Sequence, residues 1–228
     1  MPRELPIFPL PIVLFPGAPQ PLHIFEPRYR RLLDDCLEAD ERLGIAYVAP
    51  DPAPGADPVP SPGDVGCVAL IRSTQRLPDG RSNILTVGER RFVLCRWISS
   101  DRPYRVGEVE EFDDEPVDPS EAAALAADVH AGFRRLAQAL GVLTGREDAP
   151  VALPADPRLL SFQVAAALEL EPEAKRRLQV GRSTTQRLRQ LAALLGPLAA
   201  DAERRAVVRR RAKGNGKGGA KPQIERAP

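Results

Sequence analysis

Apolar residues in the first 116 positions lie in short runs, whereas from position 117 onward they recur every three or four residues. Short apolar runs bounded by Pro, Gly and Asp are typical of β-strands, and the longer repeat is typical of helices with one buried face. The pattern therefore predicts a β-rich domain over 1–116, an α-helical bundle over 117–200 and a separate tail over 201–228. This is an α+β fold.

The stretch Leu5–Leu33 is rich in proline and is apolar on both sides of each proline. Proline donates no hydrogen bond, so we expect short extended pieces at the rim of a sheet rather than one central strand. A helix is predicted to begin at Pro27, preceded by the Glu26 carboxylate at its positive end. One face of that helix is apolar, at Tyr29, Leu32, Leu33, Cys36 and Leu37.

The region 64–112 is the clearest β segment. Apolar runs at 65–71, 84–87 and 91–98 are separated by the turn sequences Pro78-Asp79-Gly80 and Gly88-Glu89-Arg90. With a run at 43–48, a final one at 103–112 and the short extended pieces before Pro27, they predict six or seven short strands. Together with the one helix, these strands predict a small, partly closed β-barrel.

Four helix starts follow an acidic linker, Asp113–Pro116. Each has a capping residue directly before the helix, and three of them have proline at the first helical position. The capping residues are Asp118, Asp156, Glu171 and Ser183. Gly196-Pro197 is expected to kink or break the last helix.

The net charge of +1 conceals a basic C-terminal tail. Residues 201–228 hold nine Lys or Arg against three Asp or Glu. A basic segment of this composition indicates either a disordered, solvated tail or weak, salt-sensitive binding to nucleic acid. The proline-rich segment 49–63 is expected to be a surface loop, with a role as a peptide ligand as the alternative.

The cysteine and histidine content excludes several kinds of site. Cys36, Cys67 and Cys95 are far apart and odd in number, so no disulfide framework is predicted and a reducing cytoplasm is the expected compartment. The two histidines give no zinc spacing, and no cofactor or metal site is predicted. No signal peptide and no membrane span are expected, since no apolar run approaches ~20 residues.

Several motifs occur together in one order: LPIFPLPIVLFPGAPQPLHIFEPRYRRLL, GDVGCVALI, LPDGRSNILTVGERRF, and LQVGRSTTQRLRQLAALL. In combination they resemble the N-terminal domain of Lon proteases, and more specifically free-standing bacterial proteins made of that domain. The resemblance covers residues 4 to about 200. It implies a PUA-like β-barrel with one helix, followed by a helical bundle, and it implies binding of polypeptides.

The catalytic parts of a Lon protease are not predicted in this sequence. The phosphate-binding motif GxxxxGK[ST] is not matched by Gly214–Lys221, which has other spacing and no Ser or Thr. A serine nucleophile needs a lysine of lowered pKa. Three of the four lysines lie in the tail, and Lys175 is expected on a solvated helix turn. No catalytic residue is predicted, and an independent hydrolase is the least favoured hypothesis.

A groove for an extended apolar peptide is the sequence's main functional candidate, with closure of the barrel rim as the alternative. The residues that would line it are Phe15, Pro16, Leu22, His23 and Phe25. His23 would hydrogen-bond either a peptide or, as we expect, the local backbone. Trp97 is expected to pack in the core or at the domain interface.

Ion pairs within the chain are expected to tie the first helix to the hairpin. Their predicted members are Glu26, Arg28, Glu89 and Arg90. The expected partners of the protein are unfolded or partner polypeptides, and delivery to a protease system is left open. The alternative function is RNA binding through a PUA-like barrel aided by the basic tail.

Overall fold

The structure is a computed structural model that describes residues 2–50, 59–146 and 152–215, with the side chains of 212–215 left aside. Its first half forms one sheet and one inserted helix. The strands are β1 (Arg3–Leu10), β2 (Pro19–Ile24), β3 (Arg42–Tyr47), β4 (Val65–Arg76), β5 (Ser82–Ile98) and β6 (Val106–Glu111). The helix α1 (Pro27–Glu38) lies between β2 and β3.

The sheet closes on itself. Its strand order is β2-β5-β4-β3-β1-β6, and β6 also pairs with β5. A closed ring is therefore formed by five strands, in the order β5, β4, β3, β1 and β6. The strand β2 pairs only with β5 and is an extra edge strand outside this ring. The predicted small barrel is confirmed, and so is the α+β class.

The prediction that the N-terminal prolines keep this segment at the rim is wrong for β1. Residues 3–6 pair antiparallel with β6, and residues 7–10 pair parallel with β3. Because the partner strand changes half-way along, each half of β1 forms its hydrogen-bond ladder on one side. Pro6 and Pro9 can then turn their nitrogens to the other side, where no ladder bond is lost.

The predicted turn at Gly88 is also wrong, since β5 is one continuous strand of 17 residues. The Gly88 N–H donates to the Ala18 carbonyl at 3.0 Å. A Cβ at Gly88 would lie 2.2 Å from the Phe15 carbonyl oxygen. Glycine is therefore needed here because the segment that contains Phe15 passes close to the β5 backbone, and not because the chain turns. The turn predicted at Pro78–Gly80 does occur, with Gly80 at φ 79°.

The second half of the chain is helical. The helices are α2 (Pro119–Thr144), α3 (Pro157–Ala167), α4 (Pro172–Val180) and α5 (Thr184–Asn215). All four begin where the sequence predicts. Asp118 accepts hydrogen bonds from the backbone of Ser120 and Glu121, and Asp156 accepts one from Leu159.

The last helix does not break at Gly196-Pro197, so of the two predicted outcomes, a kink or a break, the break is wrong. It continues to Asn215, and Pro197 lies inside it. One face stays buried past the proline, at Ala199, Ala202 and Ala206, and α5 packs along α2. This packing outweighs the hydrogen bond lost at proline. The tail expected to be disordered is thus helical over 201–215, and its remainder lies outside the described residues, as do 51–58 of the proline-rich loop.

Candidate functional site

The five residues predicted to line a groove fall into two groups in the structure. Phe15 has no exposed surface, its ring centroid lies 6.1 Å from that of Phe162, and Pro16 is buried beside it. Phe15 belongs to the core, whereas Pro16 lines a different cavity, beside Arg90 and Phe112. Leu22 is half-buried, His23 is exposed and Phe25 is 57% exposed. Only the second group can form a surface.

Leu22, His23 and Phe25 line a cavity of about 300 Å³, which we name the apolar depression. Its walls come from the end of β1, from β2, from the start of α1 and from the segment after β3. Most of its side chains are apolar. Besides those three residues, the lining includes Phe8, Leu10, Tyr29 and Val48. A cavity of this kind can receive an apolar side chain of another molecule.

The edge strand β2 borders this depression. Exposed residues Pro19 and Pro21 alternate with half-buried Gln20 and Leu22 along the strand. Prolines at an edge leave few N–H groups for another strand to pair with. A bound chain would therefore be held by its side chains rather than by extension of the sheet.

His23 is oriented by a side chain, and the expectation of a local backbone partner is wrong. Its Nδ1 donates to Oδ1 of Asn83 on β5 at 2.7 Å. Its ring stacks against Phe25, with centroids 6.0 Å apart and planes inclined by 24°. The Asn83 contact thus fixes the imidazole next to the exposed aromatic ring.

A second cavity of about 310 Å³ adjoins the first, and we name it the cationic depression. Trp97 and Tyr104 lie in its wall, with the Arg105 and Arg102 guanidiniums respectively 5.7 Å from their ring centroids. The Trp97 Nε1 donates to the Pro60 carbonyl at 3.2 Å. Trp97 is half-buried here, so it forms part of the surface as well as packing on the core.

A hydrogen bond orients Tyr104 in the wall of this cavity. Its hydroxyl donates to the Asp35 carboxylate at 2.6 Å. Burial, with the bond to Asp35, raises the pKa of Tyr104 to about 12. The phenol therefore stays neutral at physiological pH and serves as a fixed wall.

A family model described as the ATP-dependent protease La (LON) substrate-binding domain matches residues 4–196. The chain belongs to this family. The Lon protease of Roseiflexus castenholzii is 32% identical over 196 residues, which cover 86% of this chain and 24% of that protein. Lon protease 1 of Thermus thermophilus is 27% identical over 199 residues, which cover 84% of this chain and 24% of that protein. The chain thus spans about a quarter of the length of these relatives.

Two solved structures have the same fold. The crystal structure of a Lon N-terminal domain protein from Xanthomonas campestris matches with a TM-score of 0.59 and 27% identity, over 84% of this chain and 98% of that one. The N-terminal domain of a Mycobacterium avium complex Lon protease matches with a TM-score of 0.60, over 87% of this chain and 99% of that one. At 22% identity, the second match supports the fold alone.

The predicted ion pairs of this LON domain exist, but with other partners than expected. Their predicted members are Glu26, Arg28, Glu89 and Arg90. Glu26 pairs with Arg28 at 3.0 Å, Glu89 with Arg42 at 2.7 Å, and Arg90 with Glu111 at 3.0 Å. The hydrogen bond from Arg42 lowers the pKa of the Glu89 carboxyl. These pairs join β5 to β3 and β6, while Arg76 and Asp34, 2.9 Å apart, join the hairpin to α1.

Sequence reasoning missed a buried charge cluster between the barrel and the helices. Asp114, assigned to an acidic linker, has a 5% exposed side chain and accepts hydrogen bonds from Arg91, Thr184 and Arg187. Both guanidinium groups lie over the ring of Phe162, at 5.0 and 3.9 Å from its centroid. The signal for Arg187 was its place on the apolar stripe of α5, four residues before Leu191. Asp114 offered no such signal.

The described residues contain no group of three or more His, Cys, Asp or Glu that could hold a metal ion. Burial raises the pKa of the Cys36 thiol to about 12 and also raises that of Cys67.

Lys175 is half-buried rather than solvated, and its Nζ donates to the Ala166 carbonyl at 3.1 Å. Burial lowers its pKa. None of the helices in the described parts of the chain is long and apolar enough to cross a bilayer.

Proposed function

We propose that this LON domain binds exposed apolar segments of other polypeptides in the apolar depression and carries out no chemistry on them. The observation that supports this most is Phe25. A large apolar side chain is 57% exposed at the rim of a cavity that is itself mostly apolar. Such a surface gains free energy when an apolar partner covers it. The family description, a substrate-binding domain, is consistent with this role.

The expected partners are unfolded clients or partner proteins with apolar side chains free to enter the cavity. Delivery of these clients to a protease is part of the proposal, by analogy with the relatives' name. A cavity of about 300 Å³ is at the small end of the ~300–1,000 Å³ range for ligand sites. We therefore expect affinities in the region of ~1 µM, which correspond to about −8 kcal/mol.

The alternative of RNA binding is not supported by the comparisons. The basic residues of 201–215 lie on a helix that packs along α2, in the half of the chain that does not contain the apolar depression.

The test is fluorescence anisotropy with a labelled 12-residue peptide that carries Phe and Leu at its centre. Phe25→Ala removes the exposed ring, and we expect binding to weaken roughly ten-fold, which is about 1.4 kcal/mol. Val208→Ala is the matched control, because Val208 is an apolar side chain, 68% exposed, on α5. Equal affinity of wild type, Phe25→Ala and Val208→Ala would contradict the proposal.

A further inference from the structure

We infer that His23 accepts a hydrogen bond at Nε2 from a backbone N–H of the polypeptide bound in the apolar depression, so that acid weakens binding by protonating this nitrogen. The inference rests on the proposed function, since an apolar side chain of that polypeptide would occupy the depression. It adds two properties to that function. Binding is regulated by pH, and the bound segment needs a free N–H beside its apolar residue, which proline cannot supply.

His23 lies at the rim of the depression, on the outer face of β2. It is exposed, whereas the next residue along the strand, Ile24, is buried. Two contacts fix the imidazole. One is with Asn83, its direct partner in the β2–β5 ladder, at 2.7 Å. The other is with the ring of Phe25, with centroids 6.0 Å apart. The ring is therefore held at one edge and on one face, and its opposite edge takes part in neither contact.

The Asn83 contact decides which nitrogen of His23 carries the proton. A neutral imidazole has one N–H and one nitrogen lone pair. Because Nδ1 donates to Oδ1 of Asn83, the lone pair is at Nε2. The two ring nitrogens point in different directions, so Nε2 is turned away from Asn83. Among the described residues, none forms a hydrogen bond with Nε2. The depression thus has a fixed, unused acceptor at its rim.

A backbone N–H of the bound segment is the donor that suits this acceptor. An apolar side chain in the depression brings its backbone amides to the rim, where they lose water, and a donor that loses water without gaining an acceptor costs free energy. Because the prolines of β2 disfavour extension of the sheet, these amides need acceptors from side chains. The Glu26 carboxylate, which also lines the depression, already accepts from Arg28 at 3.0 Å. His23 supplies the missing acceptor.

Protonation reverses the role of Nε2. Histidine is the side chain that ordinarily changes its charge between about pH 5 and pH 8. An imidazolium carries a proton on both nitrogens, so the bond from Nδ1 to Asn83 persists while Nε2 changes from acceptor to donor. A donor at Nε2 would then face the N–H of the bound chain. Acid therefore weakens the contact with the bound polypeptide and leaves the contact within the domain intact.

The charged groups around His23 are engaged with one another. At the start of α1, Glu26 and Arg28 form a pair, and both line the depression. On the β5 side the directly facing residue is an uncharged amide, and the charged residues of the turn before β5, Asp79 and Arg81, pair at 2.5 Å. Carboxylates and guanidiniums ordinarily keep their charge between about pH 5.5 and pH 8. The imidazole is therefore the group at this rim whose charge changes.

The experiment uses the labelled 12-residue peptide with central Phe and Leu, acetylated, amidated and free of titratable residues, and follows its fluorescence anisotropy from pH 8 to pH 5.5. For wild type, affinity should fall about five-fold over this range, the effect of losing one hydrogen bond. In His23→Gln, whose amide does not titrate, affinity should not change with pH. The matched control is His130→Gln on α2, since His130 is the other histidine of the chain. It should keep the wild-type pH dependence.

Asn83→Asp tests whether the imidazole itself is the titrating group. A carboxylate beside Nδ1 favours the imidazolium, so this variant should lose affinity at a higher pH than wild type does. A merely structural role of His23 would not produce such a shift. Circular dichroism at pH 8 and pH 5.5 checks that each variant keeps its fold.

A second series of peptides replaces each backbone N–H in turn by an N-methyl group. At one position next to the central Phe, this replacement should weaken binding at pH 8 about five-fold. The loss should disappear in His23→Phe, which keeps a ring against Phe25 but has no acceptor.

The outcomes separate the inference from the proposed function. If Phe25→Ala weakens binding but wild type binds equally from pH 8 to pH 5.5, the role of His23 is wrong and the proposed function stands. The same conclusion follows if binding tightens in acid, or if every N-methyl peptide binds like the parent. If no peptide binds at pH 8, or if Phe25→Ala changes nothing, both are wrong.

Discussion

Asp114→Asn is the substitution that most directly tests how the barrel and the helices are held together. The Asp114 carboxylate is buried and accepts hydrogen bonds from Arg91 on β5 and from Arg187 and Thr184 on α5. Two guanidiniums share this one carboxylate. Asparagine has the same size, but it leaves both buried cations without a counter-charge.

The expected cost follows from the contacts that remain. Removing one partner of a buried ion pair typically costs about 3–5 kcal/mol. Arg91 would still donate to the Gly181 carbonyl at 2.8 Å, and Arg187 would still donate to it at 2.9 Å and to Ser161 at 2.7 Å. These bonds favour the lower end of the range, about 3 kcal/mol. For a chain of this size that lowers Tm by roughly 6–12 °C.

Urea denaturation followed by far-UV circular dichroism and by the fluorescence of Trp97 measures this cost. Glu203→Gln is the control, because Glu203 pairs with Arg135 at 2.8 Å on an exposed surface. Ion pairs on an exposed surface are screened by solvent and contribute little to stability. An Asp114→Asn variant as stable as Glu203→Gln would refute the view that this cluster fastens the two halves.

The remaining predictions concern the core and the pH dependence. Gly88→Ala should lower the free energy of unfolding by about 3 kcal/mol or more, since its Cβ would meet the Phe15 carbonyl oxygen. A urea titration measures this, and a variant as stable as the wild type would contradict the argument. The raised thiol pKa values of Cys36 and Cys67 mean that the unfolded chain releases these protons first, so stability should fall above about pH 9, by up to about 1.4 kcal/mol per pH unit for each thiol. Denaturation at pH 8 and pH 10.5 tests this, Cys36→Ala should flatten the decline, and a wild-type stability unchanged across that interval would count against it.

Local signals in the sequence were sufficient for much of the fold. The caps at Asp118 and Asp156 and the turn at Pro78–Gly80 act within a few residues, and each was predicted correctly. The turn wrongly predicted at Gly88 and the absence of a break at Pro197 have a different origin. Gly88 is a glycine because a segment some 70 residues earlier passes over it, and Pro197 stays helical because α2 packs against its helix.

The candidate site was predicted only in part for the same reason. Apolar runs do not reveal which of their members face inward, so Phe15 in the core and Phe25 on the surface were indistinguishable in sequence. The cationic depression combines Arg28 from α1 with Arg102 and Arg105 from the segment before β6, which only the closed barrel brings together.

The central claim is that the bound polypeptide lies in the apolar depression of the barrel. Photo-crosslinking tests this claim most directly. A client peptide with a photoreactive phenylalanine at its centre would be irradiated in complex with the intact protein, and the attachment sites would be mapped by mass spectrometry. The account predicts attachment at Leu22–Phe25 and at the walls of the adjoining cationic depression, around Trp97. Attachment confined to α2 and α5, with none around either depression, would contradict it.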